Sequence, residues 1–285
     1  MLPVPTSHSP ALGPGCAGPS LAYASASTRS DIAPPSAQQP CCGSEPFMVD
    51  PSAAAGLGLR RHTDTPYVTG TSVLGITYKD GVMLAADTLG SYGSTKRYKS
   101  FERLAKVNDA TVLGAGGELS DFQYIQTLLD ELATEDYCAD DGMQLTPREV
   151  YAYLSRVLYN RRNKFDPLWN SLVVGGLEGG VPFLGTVGMI GVHYTDKHIA
   201  TGFGQMLARP LFRERHRPDM SEEEATELLH DALRVCYYRD KQTTNKFQIA
   251  KVTAEGVSVS EAFALETQWG YQAFVNPAAN ALGTW

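Results

Sequence analysis

The chain has 285 residues, an apolar fraction of 43% and a formal net charge of −7. This composition is ordinary for a soluble globular protein with a buried core, and its dispersed basic residues argue against nucleic acid as a partner. The longest charge-free apolar run, residues 179–192, is rich in Gly and shorter than the ~20 residues of a spanning helix, so we expect no membrane segment.

The first part of the chain, residues 1–62, is dominated by Ala, Pro, Ser and Gly and has no sustained apolar period. This composition predicts a disordered N-terminal propeptide. The segment lacks the basic and apolar regions of a secretory signal. A mitochondrial transit peptide is disfavoured, because the Ser-rich first thirty residues carry a single Arg and no amphipathic period.

Short apolar strands begin after residue 65. An Asp-Gly turn at Asp80-Gly81 predicts a hairpin, and a second hairpin follows it. Two helices come next, the second opened by a capping box at Thr146, and after four more strands a helical stretch begins near Gln205. A capping box at Ser221 opens another helix, and a hairpin ends the domain. The predicted strands are 72–78, 82–87, 104–107, 111–115, 172–177, 183–187, 191–194, 198–201, 247–252 and 257–260. This grouping indicates antiparallel sheets with helices stacked outside them.

The bond Gly70-Thr71, predicted to open a strand, is the first feature that points to chemistry. A Thr hydroxyl is a weak nucleophile, but a Thr at the chain terminus can use its own α-amine as the base. That amine titrates near 7.7 to 8.0, close enough to neutrality to accept and return a proton. Asp87 lies sixteen residues after Thr71, at the end of the next strand, and Arg103 lies sixteen residues after Asp87. Without cleavage, Thr71 is only a β-branched strand residue, and Asp87 is a turn acceptor or the ion-pair partner of Arg103.

These residues, with Ala85-Ala86-Asp87, the Gly116-Gly117 turn and Tyr238-Arg239-Asp240, resemble the β subunits of the eukaryotic proteasome core particle, which are N-terminal nucleophile hydrolases. The resemblance covers about residues 63–260. It implies an α+β fold, a four-layer αββα sandwich of two antiparallel sheets between helical layers, in a domain spanning 63–265.

Departures from the active members of that family fall on the base system. The resemblance implies that Arg103 replaces a Lys, and a guanidinium keeps the charge but cannot give up its proton. The Gly202-Phe203-Gly204 turn lacks a Ser hydroxyl, and Thr243 replaces a Ser near the retained Asp240. Gly117 keeps the backbone N–H that an oxyanion requires. We therefore expect an inactive remnant of a catalytic site, formed by Thr71, Asp87, Arg103, Gly117, Asp240 and Thr243.

The strings 68–75, 87–94, 121–124 and 237–240 resemble a non-catalytic member of the family. This implies propeptide cleavage between His62 and Thr63, which leaves Thr71 inside the chain. The extension 266–285 follows the last predicted strand, and its aromatic side chains are typical of interface anchors. The resemblance implies that this extension reaches the opposite ring of the particle, through Trp269, Tyr271, Phe274 and Trp285.

The expected function is structural: a non-catalytic β subunit that supports ring assembly for ATP- and ubiquitin-dependent protein degradation in cytoplasm and nucleus. Its expected partners are the other α and β subunits of the stacked rings, with assembly chaperones as further partners. Two alternatives stay open, an active N-terminal threonine peptidase that uses Thr71 and a free-standing N-terminal nucleophile amidase. No cofactor or metal is predicted, because the six His and five Cys residues show no ligand spacing. The basic cluster Arg161-Arg162-Lys164 is predicted to be a solvated or subunit-facing patch.

Overall fold

The computed structural model describes residues 65–139, 142–271 and 275–278. The predicted propeptide 1–62, the cleavage site His62-Thr63 and the tail residues Phe274 and Trp285 lie outside these ranges. Within them the strands are β1 Val68–Gly70, β2 Val73–Tyr78, β3 Gly81–Asp87, β4 Gly90–Tyr92, β5 Thr95–Tyr98, β6 Leu104–Asn108, β7 Thr111–Glu118, β8 Asn170–Glu178, β9 Val181–Val187, β10 His193–Thr195, β11 His198–Ala200, β12 Phe247–Thr253 and β13 Gly256–Val259. The helices are α1 Leu119–Ala139, α2 Pro147–Asn163, α3 Gly204–Leu207, α4 Arg209–Arg215 and α5 Glu222–Arg239.

The strands form two sheets in which every pair is antiparallel. The eight-stranded sheet has the order β10-β9-β8-β7-β1-β4-β5, with β6 also pairing β7. The five-stranded sheet has the order β11-β2-β3-β12-β13. The β2–β3 hairpin turns at Asp80-Gly81 as predicted, and a side chain at Gly81 would lie 1.9 Å from the Val252 carbonyl oxygen. Only glycine fits that approach.

Three apolar clusters define four layers. The central cluster contains side chains from both sheets, so the sheets pack face to face, as with Leu84 of β3 and Val173 of β8. A second cluster lies between the five-stranded sheet and α3 to α5, and a third between the eight-stranded sheet and the α1–α2 pair. The predicted αββα sandwich is therefore confirmed.

Both predicted capping boxes are present. Thr146 and Glu149 bond each other's backbone N–H groups at the start of α2, with Pro147 at its first turn, and Ser221 does the same with Glu224 at the start of α5. These reciprocal bonds satisfy donors that a helix start would otherwise leave unpaired. Among the described residues, no helix combines the length and the apolar character needed to cross a membrane.

Several expectations about local structure were wrong. Thr71 does not open a strand, because it lies with Ser72 between β1 and β2. The strands β1, β4 and β5 were not predicted; they are short, and all four residues of β5 are exposed. The helical stretch near Gln205 is two helices, since a break at Ala208 precedes a new helix that begins at Arg209 and has Pro210 in its first turn.

Candidate active site

The site predicted around Thr71 lies where the chain crosses from one sheet to the other. β1 belongs to the eight-stranded sheet and β2 to the five-stranded sheet, so Thr71 and Ser72 span the two layers. β1 is an internal strand: Thr69 pairs with Glu118 of β7 on one side and with Ser91 of β4 on the other. The backbone immediately before Thr71 is therefore part of the sheet.

Glu118 fixes the residues that lead into β1. Its carboxylate accepts hydrogen bonds from the backbone N–H groups of Tyr67 and Val68, the latter at 3.0 Å. The other carboxylate oxygen accepts a bond from the Ser120 hydroxyl at 3.0 Å. A charged acceptor strengthens each bond. Glu118 thus holds the segment before Thr71 against the end of β7.

Arg103 is fully buried at the crossing, and its guanidinium joins several parts of the backbone. It forms an ion pair with the Asp87 carboxylate. One terminal nitrogen, Nη2, donates to the carbonyl oxygens of Thr71 at 2.7 Å and Ser72 at 3.0 Å, and Nε donates to the Ala115 carbonyl at 3.1 Å. A planar fork of donors suits this arrangement, and a single ammonium could not reproduce it.

Burial dominates the electrostatics of the pair. It raises the pKa of Asp87 to about 6, while the Arg103 guanidinium and the Thr244 backbone N–H, 3.2 Å from the second carboxylate oxygen, act in the opposite direction. Burial also lowers the pKa of Arg103, and Asp87 opposes that shift. The contact with the Arg103 guanidinium favours the ionised form of the carboxylate, so the geometry is that of a buried ion pair.

No base among the described residues is hydrogen-bonded to the Thr71 hydroxyl. Its oxygen is buried and has no hydrogen-bond partner among the described residues, and Arg103 contacts the Thr71 carbonyl instead. The Thr71 nitrogen lies in the peptide bond to Gly70. The Gly70 Cα is so close to Arg103 that a Cβ added to it would lie 2.5 Å from the Arg103 Nε. This geometry provides neither of the proton acceptors that would activate a Thr hydroxyl.

Gly117, the predicted oxyanion donor, pairs with Gly70 of β1. It has a φ of 90°, and an added side chain would lie 2.0 Å from the Trp169 carbonyl oxygen. Glycine is required there for backbone reasons. The space beside the Gly117 Cα is therefore occupied by the Trp169 carbonyl.

Asp240 and Thr243 form a turn after α5 rather than a support for Thr71. The Thr243 hydroxyl donates to the Asp240 carbonyl at 3.1 Å, and one Asp240 carboxylate oxygen accepts from the Gln242 N–H at 2.9 Å. Lys96 of β5 donates to the Thr243 carbonyl at 2.6 Å. The structure brings Asp87 and Arg103 together beside the Thr71 carbonyl, while Asp240 acts on Asp87 only through its charge.

Sequence reasoning missed the polar side chains that secure the crossing. The Ser72 hydroxyl accepts from the Gly204 N–H at 2.8 Å. Ser72 therefore bonds to the Gly202-Phe203-Gly204 turn, which has no Ser of its own. The Thr201 hydroxyl accepts from the Val73 N–H at 2.9 Å, and the Asn170 amide donates to the carbonyls of Gly116 and Glu118. Their only sequence signal was a polar residue at the end of an apolar strand.

No metal centre replaces this site in the described part of the chain. No group of three or more His, Cys, Asp or Glu side chains there could hold a metal ion. Burial raises the pKa of Cys236 to about 12, so its thiol stays protonated and unreactive at neutral pH.

The described part of the predicted tail packs against α5. The Trp269 ring meets Tyr237 and Tyr238 edge to face, with centroids 6.0 and 5.0 Å apart, and the Gln268 N–H donates to the Tyr238 hydroxyl at 2.7 Å. Half of Trp269 and 60% of Tyr271 remain exposed. The start of the tail is therefore held against α5, and part of its aromatic surface is exposed to solvent.

Comparison with known proteins gives one consistent family. Residues 67–252 match the family model described as Proteasome subunit. A protein of Arabidopsis thaliana named Proteasome subunit beta type-4 is 54% identical over 220 residues, which cover 77% of this chain and 89% of that protein. A Xenopus laevis protein of the same name is 45% identical over 216 residues, covering 75% and 89%. Proteasome subunit beta type-7 of Saccharomyces cerevisiae is 42% identical over 208 residues, covering 70% and 78%.

Proposed function

The chain belongs to the proteasome subunit family, and we propose that it acts as a non-catalytic, structural β subunit of the proteasome core particle. The family resemblance drawn from the Gly-Thr and Asp motifs is confirmed by these similarities. Its contribution to proteolysis is to complete a ring whose peptide bonds are cut by other subunits. The six residues around Thr71 are, on this proposal, a structural remnant.

The observation that carries the proposal is the position of β1. A catalytic Thr71 requires cleavage of the Gly70–Thr71 bond, since only then is the α-amine free to act as the base. The strand that ends at Gly70 lies between β7 and β4 and joins the β4–β5 hairpin to the rest of the sheet. Cleavage would therefore cut the chain at an internal strand of the folded domain.

Arg103 supports the same proposal electrostatically. A proton shuttle needs a group that can release its proton near neutral pH, and a guanidinium does not. Its donors are also taken by Asp87 and by three backbone carbonyls, two of them on the crossing itself. Arg103 thus stabilises the uncut connection between the sheets.

The remaining parts of the proposal concern processing, assembly and location. We propose that cleavage falls between His62 and Thr63 and that the extension 266–285 contacts the opposite ring. The exposed aromatic surface of Trp269 and Tyr271 supports that contact, because large apolar side chains on a terminal extension favour burial against a partner. The expected partners are α and β subunits and assembly chaperones, in ATP- and ubiquitin-dependent degradation in cytoplasm and nucleus.

The deciding experiment is the intact mass and N-terminal sequence of this chain, taken from purified particles. A mature chain that starts at Thr63, or anywhere before Thr71, is the expected result. The same particles are treated with an epoxyketone probe that alkylates an N-terminal Thr, and we expect label on other β subunits, which serve as the positive control, and none on this chain. A start at Thr71 with covalent label would refute the proposal in favour of an active peptidase. Recovery of the chain only outside particles would favour the amidase alternative.

A further inference from the structure

The C-terminal end of α2 carries a residue in an unfavourable backbone conformation. Phe165 has a φ of 53°, and it is the one non-glycine residue with positive φ among the described residues. A bulky L-residue in the left-handed region is an outlier, because its Cβ approaches the following carbonyl. Such outliers cluster at active sites, ligand clamps and switch regions.

A Schellman motif, the hydrogen-bond pattern that closes many helices, imposes this conformation. The Phe165 N–H donates to the Arg162 carbonyl and the Asp166 N–H to the Arg161 carbonyl, both at 3.1 Å. The Arg161 side chain stabilises this turn. Its Nε donates to the Asp166 carbonyl at 3.0 Å, and its Nη2 lies 3.3 Å from the Asp166 carboxylate. Glycine is the usual residue at the position of Phe165, since it has no Cβ.

The backbone strain at Phe165 is not offset by burial of its side chain within the subunit. Its exposed fraction is 85%, so the ring neither joins the core nor covers a neighbouring strand. The local rule for this turn is thus broken without a compensating contact inside the subunit. Proteins break such local rules mainly at functional positions.

We propose that Phe165 is an interface anchor that inserts into an apolar pocket of a neighbouring subunit, a pocket rimmed by carboxylates. The positive charge around the Phe165 ring indicates that the rim of the pocket is negatively charged, because Arg162 and Lys164 lie near the ring in sequence and both are exposed. Arg161 is neutralised locally by Asp166, so the excess charge comes from the two flanking residues. This inference rests on the proposed role as a ring subunit, and it adds a second contact surface, distinct from the tail.

The first test separates stability from assembly in the full-length chain. Phe165→Gly relieves the left-handed strain, so its Tm should equal that of the unaltered chain or rise by about 1–4 °C. Its recovery in particles, measured against a differently tagged unaltered chain in the same cells, should fall about tenfold, as for loss of an interface hot spot. Tyr137→Ala is the matched control, because Tyr137 is equally exposed but has an ordinary backbone. It should change neither quantity.

The second test identifies what the ring touches. A photo-crosslinking benzoyl-phenylalanine at position 165 should give one adduct, with another subunit, in assembled particles, and the adduct should decrease when Arg162 and Lys164 are changed to Glu. The same crosslinker at position 137 is the control.

The outcomes are distinct. Undiminished recovery of Phe165→Gly, a lowered Tm, or an adduct with nucleic acid or none at all would overturn the inference. If the unaltered chain itself is absent from particles, the proposed function fails, and with it the premise of this inference. If the unaltered chain is present and Phe165→Gly competes equally, only the inference about Phe165 fails.

Discussion

Replacing Arg103 by Met should destabilise the fold severely, because it removes the buried positive charge at the sheet crossing. Met is chosen because it is an unbranched, uncharged side chain that fills much of the same space. The change leaves the Asp87 carboxylate buried without its ion-pair partner. It also removes the donors to the carbonyls of Thr71, Ser72 and Ala115.

The magnitude follows from these losses. Removing one partner of a buried ion pair costs about 3–5 kcal/mol, and a buried carbonyl left without a donor costs about 1–3 kcal/mol. The losses overlap, because the same relaxation serves them all, so we expect about 4–6 kcal/mol in total. For a domain of this size, that corresponds to a fall in Tm of about 8–24 °C.

Urea and thermal unfolding of the full-length chain, followed by circular dichroism, measure this loss. Arg213→Met is the control, since Arg213 is an exposed arginine and its loss should cost less than about 0.5 kcal/mol. Adding Asp87→Asn to Arg103→Met should recover part of the stability, because the uncompensated charge is then gone. A loss below about 1 kcal/mol for Arg103→Met, or no recovery in the double variant, would contradict the account of the crossing.

Three further outcomes follow from the same site. Glu118→Ala should cost about 1–3 kcal/mol and speed protease cleavage within residues 65–70, as read by mass spectrometry, because Val68 loses its charged acceptor; cleavage at the unaltered rate would count against the role of Glu118. Gly117→Ala should prevent recovery of folded chain, because the methyl group would lie 2.0 Å from the Trp169 carbonyl at a φ of 90°; near-normal stability would disprove this. Thr71→Val should leave the peptidase rates of particles unchanged and keep or raise stability by about 1 kcal/mol, because it removes a buried hydroxyl without a partner; a fall in peptidase rate would revive a catalytic Thr71.

The elements that were predicted from the sequence have local causes. The Asp80-Gly81 turn determines a hairpin within a few residues, and the Thr146 and Ser221 boxes each close within one helical turn. The elements that were missed depend on partners far along the chain. β1 has three residues and owes its existence to β7, so no pattern within Val68–Gly70 predicts it.

The candidate site divides in the same way. The spacing of Thr71, Asp87 and Arg103 supported a common site through the family resemblance, and the ion pair between the last two is present. The backbone carbonyls that Arg103 binds could not be predicted, because backbone acceptors leave no mark in a sequence. Phe165 is the opposite case, since its sequence surroundings favour an ordinary loop and only the backbone reveals the left-handed turn.

The internal position of β1 also bears on how readily evolution could reverse the proposed loss of activity. Replacing Arg103 by Lys would not free the Thr71 amine, and cutting before Thr71 would leave β1, which lies between β7 and β4, joined to the domain by hydrogen bonds alone. Neither change is favourable without the other, so a lineage would pass through an unstable intermediate on the way back to a nucleophile. Once such a strand is part of the sheet, selection for folding alone is sufficient to keep Thr71 inside the chain.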